Sequence, residues 1–98
     1  MDVQLPTRTV LALTDLLTIV AAAPGAGPAD RYELAFTRDQ VAATMAPVEV
    51  LVLAGVLQEA TDRFGLDPVT RDACQRWSAA LAALLAAPQD RVPLAIAS

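Results

Sequence analysis

Residues 47–68 read PVEVLVLAGVLQEATDRFGLDP, and this stretch sets the architecture. Pro47 suits the first position of a helix, where its missing N–H costs nothing and its fixed φ is already helical. Leu53, Leu57, Ala60 and Phe64 recur at spacings of three and four, with Val50 and Val56 beside them, the pattern of one buried stripe. Gly65 can take the left-handed conformation that ends a helix, and Asp67-Pro68 supplies a cap and a first residue for the next. The stretch therefore predicts a helix from Pro47 to Phe64, a tight connection, and another helix beginning at Pro68.

Downstream, that last helix should reach about Ala87, because Pro88 cannot continue it. Val69, Ala73, Trp77, Ala80, Leu81, Leu84 and Leu85 are expected on one side, with Arg71, Asp72, Gln75 and Ser78 on the other. Upstream, Thr37-Arg38-Asp39-Gln40 has the form of a capping box, with Phe36 and Val41 placed as a hydrophobic staple. It predicts a short helix from Thr37 to about Ala46. A first helix is expected from Thr7 to Ala23, between Pro6 and Pro24-Gly25, with Val10, Leu13, Leu17 and Val20 on one face. Residues 24–31 form a Gly- and Pro-punctuated loop, and Tyr32-Glu33-Leu34-Ala35-Phe36 alternates as a short strand does. Residues 92–96 offer that strand a partner, confined to a sheet edge by Pro93. The expected fold is mainly α: a single compact domain over residues 1–98 of four helices, with at most one minor pair of short strands at about 32–36 and 92–96.

Composition narrows function by what is missing. The chain has no His, no Lys and no Asn, and Cys74 is its only cysteine. These side chains are the usual carriers of metal ligation, general base work near neutral pH and Schiff-base chemistry. Neither a metal nor a cofactor is expected. Apolar residues make up 55% of 98 and charged residues 18%, enough apolar area to offset chain entropy. The acidic balance, a net charge of −4 with seven dispersed arginines, repels nucleic acid and anionic membrane. A lone cysteine makes no intramolecular disulfide and fits a reducing cytoplasm. Val10–Ala23 fails as a secretory signal, since Asp2 stands where a basic start is needed and Asp15 interrupts the apolar run. The charge-free apolar run Val50–Leu57 is too short to cross a bilayer.

The candidate functional surface lies on the helix that opens this section. Val48, Leu51 and Val52 occupy the side opposite its core stripe, so its first two turns are apolar nearly all round. Gly55 in mid-helix costs stability and suggests close backbone approach by a neighbour. Leu11 and Ile19 are similarly surplus on the first helix. Together, Val48, Leu51, Val52, Gly55, Leu11 and Ile19 suggest an interface, and the expected function is a non-catalytic protein-interaction module. Its partner is a second copy, as a homodimer, or a larger protein to which it is an accessory subunit. The alternative reading is that the same side is simply covered by the other helices.

Two further classes stay open. Helix, strand, capped helix, tight turn and helix is the order in which winged-helix transcriptional regulators begin. Val48, Glu49, Val50 and Leu51 would then enter the major groove, where an acid and aliphatics suit neither phosphate nor base edges. The other class is a small enzyme or a binder of an apolar small molecule. Its pocket would be lined by Trp77, with Cys74 beside it and Asp15 or Glu49 as a carboxylate of raised pKa. Against it, no His or Lys is present to activate the thiol, and both carboxylates have ordinary solvated or dipole-complementing positions. The capping box, Gly terminator and Asp-Pro restart are general helix punctuation and point to no particular family.

Overall fold

The computed structural model describes residues 2–86. The elements in chain order are β1 (Val3–Gln4), α1 (Thr7–Ala21), α2 (Pro28–Gln40), β2 (Thr44–Met45), α3 (Pro47–Arg63) and α4 (Pro68–Ala86). Among the described residues, four helices and one two-stranded antiparallel sheet bear out the expected mainly helical class. No helix among the described residues is long and apolar enough to cross a membrane.

The 47–68 punctuation works as expected. Pro47 opens α3, and the Glu49 carboxylate turns back to accept the Ala46 N–H at 2.8 Å, satisfying a donor that the helix start leaves free. Gly65 follows the helix at φ +59°, in the left-handed region. Asp67 caps α4 by accepting the Thr70 N–H at 3.1 Å and the Thr70 hydroxyl at 2.6 Å. Those bonds, the hydroxyl foremost, hold its carboxyl below the ordinary value.

The segment before α3 departs from expectation. Residues 32–36 are not a strand but the middle of α2, and residues 92–96 lie outside the described residues. The start signal stands earlier, at Gly27-Pro28: Pro28 takes the first helical position, and the Asp30 carboxylate accepts the Gly27 N–H at 3.0 Å. Thr37 is therefore no cap. It sits buried inside the helix and donates its hydroxyl to the Glu33 carbonyl at 2.9 Å. The period-two alternation of Tyr32, Leu34 and Phe36 coincides with a helix whose Leu34 points inward while the two aromatics face solvent. α2 ends at Gln40, not Ala46, because Thr44 and Met45 pair with Gln4 and Val3. That pairing buries Met45 in the core, a tertiary gain that overrides the helical preference of Ala42 and Ala43.

The helices run up, down, up, down. Leu5 N–H to Ala43 O (2.7 Å) joins the start of α1 to the end of α2, beside the β1–β2 ladder. At the other end, Gly25 abuts the Phe64 backbone and Arg63 pairs with Asp30 at 2.9 Å. α1 packs chiefly on α2 and also meets α4, while α3 packs chiefly on α4. α1 and α3 thus stand diagonally, and the α2–α3 seam is the loosest of the four. Leu13, Leu17, Val20, Val50, Leu53, Leu57, Cys74 and Leu81 fill the centre.

On α4 the inner face is rotated from the expected one. Cys74, Ser78 and Leu81 are buried, Ala73, Trp77 and Leu85 flank them, and Val69, Ala80 and Leu84 face solvent. Ser78 belongs inside because it is small and because its hydroxyl donates to the Ala54 carbonyl at 2.9 Å, which lets α3 and α4 approach closely.

Candidate functional site

One helical turn advances each residue by about 100°, so positions 48, 51, 52 and 55 fall on one side of α3, opposite Val50, Leu53, Ala54 and Leu57. The fold leaves that side open. Val48, Leu51 and Val52 are between 56% and 63% exposed. Gly55 is exposed as well, and nothing stands within 4 Å of where a Cβ would be. Among the described residues, the expectation that a neighbouring backbone approaches Gly55 is therefore not met. Nor is α3 wrapped on every side by the other helices. The same stripe turns acidic along its length, with Glu59 and Asp62 exposed on the later turns.

The open α2–α3 seam adds a groove of about 310 Å³ beside this stripe. Met45 and Leu53 form its floor, and Phe36 faces Val48, Val52 and Val56 across it. Val48, Val52 and Val56 are successive i, i+4 positions and make one wall about 12 Å long. Glu33, Thr37 and Gln40 line the α2 side at i, i+4 and i+7, and Glu49 heads the α3 side. Thr37 and Glu49 are already bonded to their own backbone, at Glu33 O and Ala46 N. What remains is an apolar trough rimmed by carboxylates, with no arginine in its lining among the described residues. This arrangement suits recognition of an apolar surface. Among the described residues, no group of three His, Cys, Asp or Glu side chains could hold a metal ion.

Sequence-expected residues distribute unevenly over this site. Val48, Leu51, Val52 and Gly55 share the open face, and Val48 and Val52 also line the groove. Leu11 and Ile19 are exposed on α1, the diagonal helix, whose outward side points away from that of α3. They form no single patch with the α3 residues. Ile19 instead borders a shallow depression at the opposite end of the bundle, with Pro24, Leu66 and Thr70.

The four residues suggested for a small-molecule pocket do not converge. Glu49 lines the groove, Asp15 faces solvent on α1, Trp77 is half-buried on α4, and Cys74 is fully buried. Burial pushes the Cys74 thiol up to about 11, away from the thiolate a nucleophile requires. The winged-helix element order is also absent, since the segment read as its first strand is α2.

Phe36, Met45 and Val56, with Glu33 and Gln40, complete the site and were not anticipated as part of it. A signal for them existed: with Pro28 taken as a first helical position, residues 33, 36, 37 and 40 fall on one face. Comparison of the chain with protein-family models, with curated proteins and with solved structures finds no match.

Proposed function

We propose that this chain is a small, non-catalytic interaction module of the cytoplasm that docks another polypeptide on the first turns of α3. The partner is a second copy of itself or a larger protein to which this chain is an accessory. The observation that carries the reading is the continuous open face of Val48, Leu51, Val52 and Gly55 at the edge of the α2–α3 groove. Large apolar side chains gathered in one place on a small domain usually mark such a contact. Gly55 adds a point where a second backbone can come close, since a Cβ there meets nothing. Leu11 and Ile19 on α1 offer a separate, secondary surface in this reading.

The test is Leu51→Asp, with absolute mass measured by light scattering behind size exclusion over a dilution series. Leu51 is already 59% exposed, so the variant should keep its helical circular dichroism. A wild-type assembly should fall to the monomer mass, because a carboxylate at the centre of a closed contact is left unpaired. If the wild type is monomeric alone, the same variant should lose a partner that the wild type retains. An assembly that survives the substitution would show that the contact lies elsewhere.

A further inference from the structure

Glu33 and Glu49 line opposite walls of the α2–α3 groove, and they stand at opposite ends of it. The antiparallel course of the two helices sets this. Gln40 closes α2 near the start of α3, and Glu33 lies about 10 Å back along α2, toward the end of the wall that Val56 forms. Glu49 heads the other end, beside Val48. Between the two carboxylates the surface is apolar, from Phe36 on one side to Val48, Val52 and Val56 on the other, over Met45 and Leu53.

We propose that this groove takes an amphipathic helix of a different protein, one whose apolar stripe of about two turns carries a cation, Arg or Lys, at each end. The proposal rests on the reading that α3 docks a polypeptide, and it names which kind. Three observations select the occupant. The first is length. The wall of Val48, Val52 and Val56 is about 12 Å long, and two helical turns rise about 11 Å, so apolar residues at i, i+4 and i+7 of a partner helix span it. The second is the backbone of the walls. Both are helices whose internal N–H and C=O groups bond within their own turns and offer no ladder to an incoming strand. A segment buried against them must satisfy its own backbone, as a helix does. The third is charge: a carboxylate at each end, with no arginine in the lining among the described residues, complements a stripe flanked by cations.

The same charges disfavour a second copy in this groove. A two-fold contact sets a patch against itself, which here brings Glu33 and Glu49 of one chain toward the same carboxylates of the other. Like charges so juxtaposed oppose association.

The probe is a synthetic helical peptide of about four turns, with Leu at i, i+4 and i+7, Arg before and after them, and Ala elsewhere. A second peptide has Glu in place of each Arg. Binding to the full chain is followed by methyl NMR. The Arg peptide should shift the resonances of Met45, Val48, Val52 and Val56 saturably and leave those of Leu13 and Leu17 in place, while the Glu peptide should shift none of them. Glu33→Gln/Glu49→Gln should weaken the Arg peptide about fivefold, and Gln retains a side-chain oxygen for the Ala46 N–H. Asp15→Asn/Asp72→Asn removes the same charge from exposed positions outside the groove and should leave the affinity unchanged.

Equal affinity for the two peptides, equal weakening by the two double variants, or groove methyls unmoved by the Arg peptide would each overturn the proposal. Groove methyls that shift on dilution of the protein alone would also overturn it, assigning the groove to a second copy while leaving the docking role of α3 standing. Mass measurements on Leu51→Asp, a residue outside the groove lining, decide that role separately.

Discussion

Two glycines in this chain should respond to the same substitution with opposite signs. Gly25, in the α1–α2 turn, lies against the end of α3. A Cβ there would stand 2.9 Å from the Phe64 Cα and closer still to its carbonyl group. The obstructing atoms are backbone, so no side-chain rotation relieves them, and Phe64 is itself buried. Forced overpacking of this kind costs about 1–3 kcal/mol. At roughly 4–8 °C per kcal/mol for a domain of this size, Gly25→Ala should lower Tm by about 5–20 °C.

Gly55 is also flanked by helix, but an added Cβ meets nothing within 4 Å and the residue is solvent-exposed. Gly55→Ala should instead stabilise the folded chain by about 0.5–1 kcal/mol, through the lower backbone entropy of alanine in the unfolded state. Thermal melts followed by far-UV circular dichroism read both effects. Unchanged melting of Gly25→Ala would refute the close approach of the turn to Phe64. Destabilisation of a monomeric Gly55→Ala would refute the openness of that face. The second variant bears on function as well: if another backbone approaches there, Gly55→Ala should raise Tm and yet weaken assembly.

Two further substitutions separate the observed start of α2 from the one the capping box suggests. Thr37→Val should change stability by less than about 0.5 kcal/mol, because the Glu33 carbonyl keeps its helical bond, whereas loss of a true cap costs about 1 kcal/mol. Asp30→Ala should cost about 1–2 kcal/mol, since Asp30 bonds both the Gly27 N–H and Arg63; urea denaturation of the pair would reverse the assignment if Thr37 proved the costlier. Cys74 gives a pH prediction. Its thiol is raised from 9.0 to about 11 by burial, so its contribution to stability is whole below pH 9.0 and is lost as pH rises through about 11. Cys74→Ala should flatten that alkaline limb of the stability profile, and an unchanged limb would place the thiol in water.

The legibility of the chain follows the range of the interactions that decide each part. Pro47, Gly65 and Asp67-Pro68 act through bonds to their immediate neighbours, so α3, its left-handed end and the start of α4 could be placed from the sequence. The same holds for the apolar surplus at Val48, Leu51 and Val52, which is a matter of spacing along one helix. Thr37-Arg38-Asp39-Gln40 misled because two local signals compete there, and Gly27-Pro28 with Asp30 prevails once Leu34 and Thr37 are buried on one face. Ser78 misled for a related reason: a lone hydroxyl counts as polar in a periodicity argument until a carbonyl across the helix pair accepts its proton.

Local bonding and residue spacing, then, determined the helical class, the α3–α4 connection and which side of α3 carries surplus apolar residues. Tertiary structure alone decided that this side stays open, that Leu11 and Ile19 face away from it, and that Phe36 and Met45 join Val48, Val52 and Val56 in one groove. Those outcomes depend on which helices become neighbours. Pairing of Val3–Gln4 with Thr44–Met45 closes a loop of some forty residues, and packing of α1 on α4 spans most of the chain. No local pattern records such long-range closures, because their free energy comes from the area they bury together.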